Sequence, residues 1–137
     1  MSTNSRISLY KEGNIKSIYC HWDGYIEHNG EILFKYYTTE EEVEKLVALG
    51  DISILGKRIG EKVDFDKMTL DPIYRDRYDG QCVAYHRDRG EEYNAKMFSN
   101  IETLEDFEEY NYLFKDGEWL VSCGETDYHF KPLKDYL

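Results

Sequence analysis

No stretch of this 137-residue chain approaches the ~20 consecutive apolar residues that a membrane-spanning helix needs. Its opening, MSTNSRISLYKEG, lacks the apolar centre of a secretory signal, so the expectation is a cytoplasmic protein with no membrane partner. Cysteine occurs three times, at Cys20, Cys82 and Cys123, an odd number with wide spacing and no CxxC pair. That excludes a disulfide frame and the strong zinc signatures, and reads as reduced thiols. The glycines follow neither GxGxxG nor GxxxxGK[ST], and no GxSxG elbow is present. Basic residues are also scarce, 17 against 28 acidic, for a net charge of −11. Such a surface repels phosphate backbones, so direct nucleic-acid binding is not expected.

What the chain does have is aromatic residues, including thirteen tyrosines against six phenylalanines. Apolar residues make up 41%, enough for one domain spanning residues 1–137 with an ordinary core. The charge is uneven: residues 1–50 net −3, residues 51–90 net zero and residues 91–137 net −8. Two partners fit this distribution: a basic protein surface, or a small anion in a locally basic pocket.

RISLYKEGNIKSIYCHW reads as a hairpin turning at Glu12-Gly13-Asn14. In its second strand Ile18, Cys20 and Trp22 share the core face, while Ser17, Tyr19 and His21 share the other. Asp23-Gly24 then closes the strand. GEILFKYY places Ile32, Leu33 and Tyr36 at helical spacing. TTEEEVEKLVALGD is a helix with a Thr39–Glu42 capping box, a buried stripe of Val43, Leu46 and Val47, and a stop at Gly50. Residues 51–80 read as loops with short strand pieces, one at 62–65. QCVAYHRD reads as a strand with Cys82, Ala84 and His86 on one face and Val83, Tyr85 and Arg87 on the other. A short strand, a brief helix near Leu104–Phe107 and a hairpin turning at Asp116-Gly117 follow, then a helical turn opened by Pro132. The fold class is therefore α+β: an antiparallel, meander-like sheet with two short helices inserted after the first hairpin.

The segment from Tyr74 to Asn94 carries the most chemistry. It holds two Arg-Asp-Arg units, Arg75-Asp76-Arg77 and Arg87-Asp88-Arg89, with Tyr85 and His86 between them. Guanidinium forks grip phosphate or carboxylate, and tyrosine rings stack on bases, so this pattern suits a small nucleotide. The competing reading is a network of Arg–Asp ion pairs. Candidate ligand contacts are Arg75, Arg77, Tyr85, His86, Arg87 and Arg89, joined by His21, Trp22 and Tyr25. Cys20 and His21, adjacent on a strand, point to opposite faces and make no nucleophile–base pair. His21, Asp23 and His28 match no strong metal spacing. No catalytic residue, metal or cofactor is assigned.

SIYCHWDGY, ILFKYY, the helix ending in LGDIS, AYHRDRGEE and EEYNYLFKDGEW, in this order, resemble blocks of a set of small bacteriophage and prophage proteins. The likeness spans most of residues 15–120. It departs after HWDGY, where Ile26-Glu27-His28 stands in place of a proline and small residues. The resemblance implies a phage accessory protein, of the kind that blunts host defence. Three functions follow as expectations. The first is non-enzymatic sequestration of a small anionic, nucleotide-like signal. The second is an acidic decoy that occupies the nucleic-acid groove of a host defence protein, as anti-CRISPR proteins do. The third is a small metal-dependent hydrolase using His21, Asp23 and His86. A homo-oligomer formed through a sheet edge or the strand Tyr110–Phe114 is a further expectation.

Overall fold

The computed structural model describes residues 2–137. The first hairpin pairs β1 (Ser5–Lys11) with β2 (Asn14–Cys20) in antiparallel register, Ile7 opposite Ile18. Glu12 and Gly13 both take positive φ, 53° and 82°, the turn whose twist matches the flanking strands. A turn of π-helix (Ile26–Gly30) runs into α1 (Glu31–Tyr36), and α2 (Glu40–Val47) follows with both halves of the Thr39–Glu42 capping box made. These are the two helices expected after the hairpin. Val43, Leu46 and Val47 are buried, and Gly50 ends the segment at φ 76°.

The chain is α+β, but its sheet is mixed and not a simple antiparallel meander. The order is β4 (Val83–Ala84), β3 (Ile52–Ile54), β2, β1, β6 (Tyr110–Lys115), β7 (Glu118–Cys123) and β8 (Lys131–Pro132), with β5 (Lys96–Phe98) also pairing β2. β6 (Tyr110–Lys115) runs parallel to β1, and β3 (Ile52–Ile54) meets β2 in parallel. The physical reason is the long crossover: α1 and α2 carry the chain back across one face before β3 forms. β7 (Glu118–Cys123) completes the hairpin at Asp116-Gly117, and β8 (Lys131–Pro132) lies at the edge beyond it. A 3-10 turn over Leu133–Tyr136 follows Pro132, as read from the sequence. β6 is interior, with Tyr112 and Phe114 buried, so the strand expected to dimerise is already paired on both sides.

Both faces of the sheet are covered. Ile7, Leu9, Ile18, Cys20, Tyr112, Phe114 and Val121 face α1 and α2 through Leu33, Val43, Leu46 and Val47. The other face packs Ile15 and Leu113 beneath Leu104 of the 3-10 turn Ile101–Leu104, and β5 (Lys96–Phe98) adds Phe98. Two expected core positions are corrected. β2 ends at Cys20, so Trp22 lies beyond the strand and is 42% exposed. On α1 it is Tyr37, just past the helix, that is buried, while Tyr36 stays exposed. Among the described residues no helix is long and apolar enough to cross a membrane.

Residues 51–80 depart most from the sequence reading. They form β3, then α3 (Phe65–Leu70) and α4 (Pro72–Arg77), two short helices capped by Asp64 and Asp71. Pro72 opens α4 at a position where its missing N–H costs nothing. QCVAYHRD is likewise corrected: only Val83–Ala84 pairs, as β4, and α5 (Tyr85–Arg89) begins at once.

Gly56, after β3, touches the segment leading into β4. A Cβ placed on it would lie 2.3 Å from the Gln81 carbonyl carbon and 2.6 Å from two backbone oxygens. Its carbonyl accepts from Tyr37 Oη at 2.7 Å, and its N–H meets Cys82 Sγ at 3.3 Å. Gly56→Ala is therefore expected to lose at least ~1–3 kcal/mol of stability, the usual cost of overpacking, in urea titration. Gly90→Ala meets no atom within 4 Å. With only its left-handed φ to oppose it, it should lose less.

Candidate functional site

The two Arg-Asp-Arg units have different fates. In the second, Asp88 has a fully buried carboxylate that accepts from Val63 N at 3.1 Å and Ala84 N at 2.7 Å. Arg87 closes the cluster: Nε and Nη2 reach Asp88 at 2.9 and 3.2 Å, Nη2 reaches the Cys82 carbonyl at 2.8 Å, and Nη1 reaches that of Ile59 at 2.9 Å. Four of the five donors of this fork are taken up inside the protein and one Nη1 hydrogen remains, so Arg87 acts chiefly as a structural residue rather than as the ligand contact expected of it. Arg89 is held by Glu91 and stacks over Phe65 and Tyr85, 4.5 and 4.9 Å from the ring centres. His86 bonds the Glu91 carbonyl through Nδ1 at 2.6 Å. Arg89 borders an open surface depression with Lys62, Phe65 and Tyr74, apart from the groove described next.

In the first unit, Arg75 and Arg77 sit two places apart on α4, so they cannot share a face. Arg77 is exposed on the outside. Arg75 lines a groove of about 500 Å³ between α3–α4, the segment Leu55–Arg58 and the stretch Asp79–Val83. Its cations are Lys57, Arg58 and Arg75, facing one carboxylate, Asp79. Its apolar floor includes Ile32, Leu55, Met68 and Val83, with Tyr78 and His28 at the sides. That size and mixture match a site for a small molecule.

The local chain explains the geometry. Gly56 is pinned on both sides, which turns Lys57 and Arg58 outward along the groove. Arg58 is further set by Nη1 on the Asp79 carbonyl at 2.7 Å, and by its own backbone bonds to Gly80 and Cys82. Lys57 lies over the Tyr36 ring at 5.6 Å. Arg75 makes a single long contact, Nη1 to the Thr69 carbonyl at 3.4 Å, leaving most of its fork free. Of the residues named from the sequence, only Arg75 lines the groove, and Tyr25 stands beside it with its ring 6.1 Å from that of His28. Lys57, Arg58 and His28 were missed as ligand contacts. Lys57-Arg58 stands between Gly56 and Gly60, a basic pair in a glycine-flanked loop that matches no established motif.

His21 and Trp22 belong elsewhere. His21 bonds Tyr19 Oη at 2.8 Å, and Trp22 packs edge-on against it, 4.7 Å between ring centres. Tyr19 lies on the sheet face that holds a buried polar cluster around Arg6, which is 3% exposed. Arg6 donates to Ser17 Oγ at 2.8 Å, stands 3.9 Å from Asp51 and sits under the Phe107 ring at 5.1 Å. Burial lowers the Arg6 pKa and raises those of Asp51 and Glu108, so desolvation outweighs the attraction between these opposite charges. Burial likewise pushes the Cys20 thiol up to about 12 and raises Cys82, which keeps both as inert thiols. Among the described residues no group of three or more His, Cys, Asp or Glu side chains is placed to hold a metal ion, so His21, Asp23 and His86 form no such centre.

No protein-family model, curated protein or solved structure matches this chain. The functional reading therefore starts from the geometry of the groove. Arg87→Ala should act on stability: an unpaired buried carboxylate costs about 3 kcal/mol or more, read as a lower urea midpoint. Arg77→Ala, at an exposed position, should stay within ~0.5 kcal/mol of the parent.

Proposed function

We propose that this protein binds and sequesters a small anionic, nucleotide-like ligand in the groove between α4 and the Leu55–Arg58 segment, without converting it. The observation that carries this reading is the concentration of Lys57, Arg58 and Arg75 around one concave apolar floor on a chain of net charge −11. Arginine forks supply bidentate donors for a phosphate, and the floor accepts a planar or aliphatic body. Sequestration fits better than turnover because the lining offers no nucleophile paired with a base. The phage resemblance supports a role in removing a host signal, in the cytoplasm of an infected or lysogenic cell.

The acidic decoy is the second reading. Glu102, Asp106 and Glu109 are exposed around Phe107, itself 41% exposed, giving an acidic turn with an aromatic anchor. Glu105 and Glu108 contribute less. Glu105 accepts from Phe130 N at 3.0 Å, and Glu108 is partly buried beside Arg6.

Thermal-shift and calorimetric titration with nucleoside mono- and diphosphates test the first reading. Each charge-assisted bond contributes roughly 1.5–3 kcal/mol, so Arg58→Ala and Arg75→Ala should each weaken binding about ten- to a hundredfold. Arg77→Ala should leave it unchanged. A flat screen at millimolar nucleotide sinks the reading. Capture of a basic nucleic-acid-binding protein, lost when Glu102, Asp106 and Glu109 become lysine, would then establish the decoy.

A further inference from the structure

The groove contains one imidazole, and its hydrogen-bonding sense is set from inside the protein. Asn29 is buried, on the π-helical turn that precedes α1. Its side-chain nitrogen lies 3.4 Å from the Trp22 carbonyl, 3.3 Å from Ser5 Oγ and 3.3 Å from Cys20 Sγ. A carbonyl only accepts, so this atom must be the amide nitrogen, and the amide is not free to flip. Asn29 Oδ1 is thereby turned toward His28 Nδ1, 2.9 Å away. An amide oxygen also only accepts, so Nδ1 carries the hydrogen. In the neutral ring Nε2 is then a lone pair, and it makes no hydrogen bond to the protein among the described residues.

The rest of the lining offers mostly donors. Lys57, Arg58 and Arg75 are donors only. The Gln81 amide is occupied: its nitrogen donates to the Glu61 carbonyl at 2.8 Å and its oxygen accepts from Glu61 N at 3.4 Å. The other side-chain acceptors of the lining are the Asp79 carboxylate, which stands on the Arg58 wall, and the Tyr78 hydroxyl; Arg58 Nη1 is bonded to the Asp79 backbone carbonyl. An anionic oxygen can settle among the three cations; against Nε2 of the neutral ring two lone pairs would meet, whereas a hydroxyl can donate there.

We infer that the ligand carries a hydroxyl donor beside its anionic group, as ribose and other sugar phosphates do, and that His28 Nε2 accepts from that hydroxyl. This rests on the groove being an anion site, as proposed above. It deepens that reading from any small anion to a hydroxylated phosphate, and it makes His28 a specificity-determining residue with Asn29 as its positioning residue.

The test is calorimetric titration of the full chain with the common nucleoside monophosphates and ribose phosphate, each ribonucleotide run beside its dideoxy counterpart. One neutral hydrogen bond corresponds to roughly three- to tenfold in affinity, so the dideoxy forms should bind weaker by about that factor. In His28→Phe, the ribonucleotides should fall to the dideoxy level while the dideoxy forms are unaffected. His28→Gln, which restores an acceptor, should recover part of the difference. The hydroxyl deletion is read on the parent protein, so it stands even if a variant folds poorly. Equal binding of ribo and dideoxy forms overturns the hydroxyl contact and leaves the anion site standing. Failure of every phosphate to bind at millimolar concentration overturns both.

Discussion

The carboxylate of Asp88 holds together the irregular part of the molecule that borders the proposed site. It is wholly buried, and it gathers the backbone N–H groups of Val63 and Ala84 and the guanidinium of Arg87. Through Arg87 the same cluster reaches the carbonyls of Ile59 and Cys82. Four pieces of irregular chain are thus fixed by one negative charge and its counter-ion: the segment after β3, the approach to α3, β4 and the first turn of α5. None of them has enough regular structure to hold itself in place, since β4 has two residues and β3 three. Such a pair is retained for the geometry it fixes more than for net stability, because desolvation offsets most of its attraction. Its consequence is local and functional. The Leu55–Arg58 wall of the groove keeps its place because its continuation is tied down.

A second buried cation shows the same economy on the opposite side of the sheet. Arg6 lies on β1, near the middle of the strand order, where an apolar side chain would be the simplest choice. Instead it joins Ser17, Asp51 and Phe107, so that β1, β2, the start of β3 and the acidic turn before β6 converge on one guanidinium. Ser8 adds a bond to Ser17 at 2.8 Å, and buried Asn111 and Ser122 extend the polar strip along that face beside the apolar cluster of Ile15, Leu104 and Leu113. These contacts specify register. A one-residue slip of β1 would move Arg6 into the apolar layer under α2, where no partner waits.

How much of this was legible in the sequence depended on the range of the interactions involved. The two hairpins were read correctly because Glu12-Gly13 and Asp116-Gly117 act within the turns themselves, through positive φ. The second helix was read correctly because Thr39 and Glu42 cap each other across three residues. Residues 51–80 were misread because α3 and α4 are six residues each, too short to show a period. Their signals were capping aspartates, Asp64 and Asp71, which also serve in ordinary loops. QCVAYHRD alternates as a strand should, yet Asp88 reaches back to Ala84 N and Gly90 accepts the left-handed stop, so a helical turn forms there. The site shows the same division. Arg75 was found because arginines near tyrosines stand out locally. Arg87 looked identical, and only the fold shows that most of its fork is taken up inside the protein. Lys57, Arg58 and His28 come together across the chain, which spacing along the sequence does not reveal.

The net charge limits what the groove can hold. The negative field of the whole protein opposes every anion that approaches, and the opposition grows with each phosphate the ligand carries. The compensating attraction does not grow in the same way, because it is confined to Lys57, Arg58 and Arg75 at short range, with Asp79 opposing them. A ligand with one or two phosphates can place its charge among those three cations. A polymer would extend its further phosphates over a surface with 28 acidic and 17 basic residues, where repulsion dominates beyond the groove. Under the proposed function, the acidity that argues against nucleic acid also acts as a selectivity device. It leaves the groove open to small phosphates and closes the rest of the surface to long ones.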